Sequence, residues 1–279
     1  VPGVMATRSI QDPRDRLATI MVAPLMTCSA RLPVYALLIG AFIPSQSVAG
    51  LFNLQGLVLF ALYAAGVTSA LAVSWVMKKI HRDRTEHALL LELPSYRVPS
   101  WRSVSLGLYE RASIFLKRVG GIILALTILL WFLASFPAPP DGATRAAIDY
   151  SFAGQLGHMM APIFAPLGFS WQICIALIPA MAAREVVVAA LGTVYALSGS
   201  DDALAQQLSP LLADQWSLAT ALSLLVWFVF APQCIATLAT VRRETGSWRH
   251  VSIMTAYLFG LAYLMAMLTY QGAVALGWG

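Results

Sequence analysis

The sequence predicts an all-α, polytopic transmembrane protein with internal repeats and broken or re-entrant helices. Three observations predict it. Hydrophobic residues make up 59% and charged residues 11% of the 279 residues, at a mean hydropathy of +0.73, whereas soluble domains carry about 25% charged residues. Apart from Arg31, Arg184 and Glu185, every charge falls in the stretches 8–16, 78–118, 141–149, 201–214 and 242–249. Prolines interrupt several of the apolar runs between them, and a proline removes a backbone donor and crowds the preceding turn. The net charge of +5 is therefore a property of loops, which excludes a basic nucleic-acid-binding surface as its cause.

The first apolar run is 17–43, with Arg31 as its single charge. An unbroken helix of that length would be roughly 40 Å long, enough to cross a bilayer core. Pro24 and Pro33 predict instead a broken helix, and between them lie Thr27, Cys28, Ser29 and Arg31. At membrane depth, freed carbonyls are tolerated only against protein or a water-filled cavity. The run at 51–77 is uninterrupted and reads as one span.

Segment 78–118 is basic on balance and opens Lys78-Lys79-Ile80-His81-Arg82, which marks it as cytoplasmic. Its Glu92-Leu93-Pro94 block reads as loop. Residues 102–118 alternate apolar and charged positions; they read either as an interfacial amphipathic helix or as a cytoplasmic extension of the span beginning at Val119. Arg242, Arg243 and Arg249 make 242–250 cytoplasmic, and Arg8, Arg14 and Arg16 do so for the start of the chain. The loops 44–50, 137–150 and 200–215 lack that excess and read as outside. The remaining apolar runs are 119–140, 151–183, 215–241 and 251–279. Gly154, Gly157, Pro162, Pro166 and Gly168 make 151–168 either a broken span or a re-entrant element.

Two stretches repeat. Shifting by 153 positions matches Ala30, Arg31, Val34, Ala36 and Leu38 to Ala183, Arg184, Val187, Ala189 and Leu191. Pro2-Gly3-Val4-Met5-Ala6-Thr7 also parallels Pro232-Gln233-Cys234-Ile235-Ala236-Thr237, and a basic cluster follows each. Interrupted helices in internal repeats are the common plan of secondary transporters, whose sites lie between the repeats.

The blocks Val1-Pro2-Gly3-Val4-Met5-Ala6-Thr7-Arg8, Cys28-Ser29-Ala30-Arg31-Leu32-Pro33-Val34-Tyr35, Glu92-Leu93-Pro94, Pro162-Ile163-Phe164-Ala165-Pro166-Leu167-Gly168 and Ala183-Arg184-Glu185-Val186 resemble the membrane region of the ferrous iron transport protein B family. The resemblance covers essentially the whole sequence. It implies a multi-pass protein of the bacterial inner membrane that imports Fe2+ between two gate-type repeats. A cytoplasmic GTPase domain precedes the membrane region in that family. The sequence here opens without methionine and holds no Gly-x-x-x-x-Gly-Lys-[Ser/Thr] loop. It reads as a fragment without enzymatic activity of its own, to which GTP would matter only through the missing domain. Further expected partners are the lipid bilayer, small cytoplasmic accessory proteins and a second copy of the protein, with no nucleic acid.

The implied organisation is the end of a first gate-type repeat and a cytoplasmic loop at 1–16, two transmembrane helices at 17–77 and a cytoplasmic loop with an amphipathic helix at 78–118. A transmembrane helix and outer loop at 119–150, a second gate-type repeat at 151–245 and a final transmembrane helix at 246–279 complete it.

Fe2+ accepts thiolate, imidazole, thioether and carboxylate ligands. As residues alone, Cys28 and Cys234 are open to a structural reading; with the resemblance they become the candidate metal ligands, each following a helix-breaking proline. Cys174 begins an ordinary apolar helix and reads as structural, and three cysteines in apolar runs imply no disulfide framework. Glu185 is the sole acid in any expected span, hence functional by default. Arg31 and Arg184 repel cations and are assigned with Glu185 to gating or charge balance. Met159, Met160 and Met181 read as packing, and His158 as a satisfied histidine near a helix end. A nucleoside or other small-solute permease with the same repeat is the alternative, and it would not need Cys28.

Overall fold

A computed structural model describes residues 2–48, 52–80, 100–137, 147–182, 184, 186–195, 201–232 and 234–279. Glu185, the Glu92-Leu93-Pro94 block and most of the expected outer loop at 137–150 lie outside the described residues.

Helix α1 (Pro2–Ala6) leads through a 3-10 turn into α2 (Pro13–Val22), whose N-terminus is capped by the Asp12 carboxylate. The apolar run that follows breaks as its prolines dictate. A 3-10 turn at Ala23–Leu25 gives way to extended Met26 and Cys28; a second turn at Ser29–Arg31 then starts α3 (Leu32–Phe42). Beyond α3, β1 (Ser47–Val48) pairs antiparallel with β2 (Phe52–Asn53), Ser47 opposite Asn53.

Helix α4 (Leu54–Ile80) is unbroken. Helix α5 (Trp101–Ser135) is continuous through 118–119, so the amphipathic stretch is an extension of that helix and not a separate interfacial one. At 35 residues it is roughly 52 Å long. Many large apolar side chains on α4 and α5 face outward, among them Phe60, Leu71, Trp75, Leu124 and Trp131. An apolar outer surface on that scale suits lipid and not water.

A short helix α6 (Ala147–Tyr150) precedes α7 (Phe152–Phe164), a 3-10 turn at Ala165–Leu167, and α8 (Trp171–Ala182). The two longer helices meet at a 99° bend. Gly168 makes the corner: its φ is +75°, and a Cβ there would lie 2.0 Å from the Tyr270 ring. Helix α9 (Val186–Val194) follows.

The stretch 200–215 was expected as an outer loop. It is instead mostly α10 (Asp201–Gln215), which buries Leu204, Leu208 and Leu212 against α3 and α9. Those leucines recur every fourth residue, an apolar stripe that outweighs the aspartates and Pro210.

The run 215–241 also breaks. Helix α11 (Leu218–Phe230) ends before Pro232, and α12 (Ile235–Thr245) starts after Cys234. Helix α13 (Trp248–Ala275) closes the chain. It packs along α11 through Met254, Leu258, Ala262 and Ala266, all fully buried, and Ser223 Oγ donates to the Ala266 carbonyl at 3.0 Å. Small residues facing a partner let membrane helices approach closely. By length and composition, three helices among the described residues can span a bilayer: Pro13–Phe42 with its break, Leu54–Lys79 and Trp248–Ala275; the bent pair Phe152–Leu167 and Trp171–Met181 makes a fourth if it counts as one span.

Candidate functional site

The site is assembled from two proline breaks and the connection between α8 and α9. In the first break, Pro24 ends the helix and Cys28 is held extended at φ −111°, ψ 158°. The Cys28 carbonyl accepts the Arg31 N–H at 3.2 Å, which restarts the chain as helix. In the second break, Ala231 (φ −55°, ψ 148°) and Cys234 (φ −57°, ψ 158°) are polyproline-like, and Cys234 stands at the N-terminus of α12 with its carbonyl accepting the Thr237 N–H at 2.8 Å. Both thiols are half-buried, and Cys234 Sγ lies 3.5 Å from Thr237 Oγ1. The matched N-terminal segment differs locally: it is helical from Pro2 to Ala6, and Thr7 Oγ1 donates to the Val4 carbonyl at 2.7 Å. Helix α1 packs against α12.

Arg184 ties the second break together. Its Nη1 donates to the Phe228 carbonyl at 2.9 Å, and Nη2 to the carbonyls of Ala231 at 2.7 Å and Pro232 at 2.5 Å. These are C-terminal carbonyls that a helix leaves without intrahelical partners, so the buried guanidinium satisfies the end of α11 and fixes the approach to Cys234. Arg31, Cys28, Tyr35 and Cys234 all lie within electrostatic range of Arg184. The fold thus brings both candidate cysteines and both candidate arginines to one region, although Arg184 is 153 residues from Arg31 in sequence.

Arg31 is fully buried, yet the hydrogen bond of its guanidinium is long, Nη2 to the Pro24 carbonyl at 3.5 Å. Its Nε and Nη1, the Tyr35 hydroxyl and Thr27 Oγ1 are buried without a hydrogen-bond partner among the described residues. Gly66 of α4 presses on this break: a Cβ there would meet Thr27 Oγ1 at 2.8 Å and the Leu25 carbonyl at 3.3 Å.

The remaining sequence candidates fall apart from this cluster or beside it. Cys174 is fully buried in the interior of α8. His158 stacks on Trp171, with ring centroids 4.7 Å apart. Met159 points outward. Met160 and Met181 line an apolar cavity of about 150 Å3, walled by Trp227, Phe228 and Phe259, that ends at Arg184 and Pro232. No group of three or more His, Cys, Asp or Glu side chains suited to hold a metal ion occurs among the described residues. The arrangement is two thiols beside loosened backbone, not a closed cage.

Sequence reasoning missed Tyr35, Gly66 and Glu244. Tyr35 was legible as the residue four places after Arg31, hence on the same helix face. Gly66 carried no signal of its partner. Glu244 is the one acid in 242–250, a segment read only for its arginines. Arg8 donates to Glu244 through Nη2 at 2.6 Å and Nε at 2.9 Å, and Arg16 Nη2 donates at 2.8 Å. The hydrogen bonds from Arg8, reinforced by Arg16, hold the Glu244 carboxyl below the usual carboxylate range against the opposing effect of burial. The Arg8 guanidinium is correspondingly raised by Glu244.

Residues 116–248 match the Gate family, described as nucleoside recognition, and residues 59–111 match the family described as ferrous iron transport protein B C terminus. Over 97% of its length the chain is 37% identical to "Fe(2+) transporter FeoB" of Leptospira interrogans, covering 41% of that protein. It is 31% identical to the protein of the same name from Campylobacter jejuni over 96% of this chain and 43% of that one. It is 33% identical to the "Fe(2+) transport protein A/Fe(2+) transporter FeoB fusion protein" of Porphyromonas gingivalis, over 97% of this chain and 36% of that one. No solved structure matches. The chain therefore spans about 41% of the length of the first of these relatives, and nearly the whole of it is similar to the membrane part of the ferrous iron transport protein B family.

Proposed function

We propose that this chain is the membrane-spanning permease part of a ferrous iron importer of the bacterial inner membrane. Fe2+ passes between gate-type repeats and meets the Cys28 and Cys234 thiols and nearby freed carbonyls in turn. The observation that carries this reading is the convergence of two proline breaks, each bearing a half-buried cysteine, around the Arg184 guanidinium. Soft sulfur discriminates against Mg2+ and Ca2+, which take oxygen ligands. An ion path must also release its ion, so weak sequential contacts serve better than a saturated cage. Arg31, Arg184 and Glu185 act in charge balance or gating.

A GTPase domain that precedes these residues supplies the nucleotide chemistry, and small cytoplasmic accessory proteins and self-association complete the machine. The fused protein A of the Porphyromonas gingivalis relative supports such an accessory partner.

The test is Fe2+ uptake by the full-length protein in cells, normalised to membrane-inserted protein. Cys28→Ser and Cys234→Ser each lower uptake more than yield, and Cys174→Ser leaves it near the unaltered level. Unaltered uptake by the Cys28→Ser, Cys234→Ser double variant would remove the thiols from the path.

A second reading, a permease for nucleosides or other small solutes, is favoured by the description of the Gate match over 116–248. Uptake of labelled nucleoside that survives loss of both cysteines, without Fe2+ uptake, would select it.

A further inference from the structure

We propose that Arg31, Tyr35 and Thr27 form an internal site for a small monovalent anion of the halide class, next to the cysteines but distinct in chemistry from them. The observation is a concentration of buried, unanswered donors. Arg31 and Tyr35 are both 0% exposed. Arg31 Nε and Nη1, the Tyr35 hydroxyl and Thr27 Oγ1 have no hydrogen-bond partner among the described residues. Buried side-chain polar groups are in large majority paired, so four such atoms within nine consecutive residues call for a ligand.

The chemistry of that ligand follows from the groups. Guanidinium nitrogens donate only, and the two hydroxyls donate when an acceptor is offered. Arg31 and Tyr35 stand four residues apart, so the guanidinium and phenol share a face of the chain entering α3. Both arginines act electrostatically on Tyr35, and no carboxylate contributes among the described residues. A cation is repelled there, and a neutral molecule leaves a membrane-buried charge uncompensated, at a cost of several kcal/mol. An anion answers both.

Glu185 is the sole acid in any of the expected spans. Complete pairing of its single negative charge with one arginine still leaves the other positive. On the α4 side the approach is tight, a Cβ built at Gly66 lying 2.8 Å from Thr27 Oγ1, and a halide, the most compact class of anion, asks least room there. The inference does not depend on Fe2+ being the transported ion.

The experiment uses the purified full-length protein in detergent. Chloride replaces gluconate at constant sodium and ionic strength, and both the unfolding temperature and the chloride-35 NMR linewidth are followed. Chloride raises the unfolding temperature saturably and is displaced by bromide. Tyr35→Phe, which removes one hydroxyl from a retained ring, weakens half-saturation about tenfold, the loss of one charge-assisted hydrogen-bond contact. Arg31→Gln abolishes the saturable response.

Identical behaviour in chloride and gluconate would overturn the proposal, as would a chloride response unchanged in Tyr35→Phe. A response that appears only in Glu185→Gln would overturn it too, by showing that the Glu185 carboxylate fills the place.

Discussion

The two proline breaks put the same ingredients to different use. Each has a proline, a non-helical cysteine and a buried arginine facing freed carbonyls. At the second break, Arg184 makes three hydrogen bonds of 2.5 to 2.9 Å to the end of α11. At the first, Arg31 makes one contact of 3.5 Å and keeps two nitrogens unpartnered among the described residues. Burial of a guanidinium therefore does not define its role; the count of acceptors around it does. Arg184 is a fixed part of the backbone's hydrogen bonding, and Arg31 is a donor held in reserve.

The widest separation between the breaks comes from removing each arginine in turn. Arg184→Met strands three buried carbonyls and should cost about 3–5 kcal/mol, visible as loss of folded yield and a steep fall in unfolding temperature. Arg31→Met, measured in gluconate, should leave stability within about 1 kcal/mol or raise it, because replacing an under-paired buried charge by apolar volume is often neutral or stabilising. Equal losses from both variants would end the distinction.

A smaller effect comes from α4. Gly66→Ala should destabilise by about 1–3 kcal/mol, since the new methyl meets Thr27 and the Leu25 carbonyl of the first break. Gly56→Ala on the same helix has open space around it and should gain up to about 1 kcal/mol from helix propensity. Thermal unfolding of the pair isolates the packing against the break from the propensity change.

The smallest effect concerns the anchor behind the second break. Glu244 has a lowered carboxyl in the folded protein, so its contribution is fully present above the unfolded glutamate value of about 4.3 and is lost as pH falls through the folded value. Glu244→Gln should thus lower the unfolding temperature at neutral pH and converge with the unaltered protein in acid. A difference that persisted undiminished in acid would assign the loss to packing.

Much of this was legible in the sequence. Pro24, Pro33, Pro232 and the glycine- and proline-rich 151–168 stretch mark interruptions because backbone chemistry at those residues is local. The apolar runs mark spans because lipid requires length and low charge. What escaped depended on tertiary partners. The leucine stripe of α10 has meaning only once α3 and α9 are there to cover it. The continuity of α5 across 118–119 was one of two equal readings, because a charged helix surface looks the same lying on a membrane or projecting from it. The unequal hydrogen bonding of Arg31 and Arg184 was invisible, since the repeat makes the two arginines equivalent in sequence. It emerged only when the carbonyls of Phe228, Ala231 and Pro232 could be seen to close on one of them.

The Arg8 and Arg16 bonds to Glu244 have a mechanical consequence. Helix α12 is an eleven-residue rod, roughly 16 Å long, with Cys234 at its head and Glu244 in its last turn. Arg8, ahead of α2, and Arg16, in its first turns, grip that tail through two guanidinium groups, one of them by two bonds. A short α-helix transmits push and twist along its axis with little loss. Any displacement of the first sixteen residues therefore arrives at the Cys234 thiol as motion of a handle, roughly three turns from the grip.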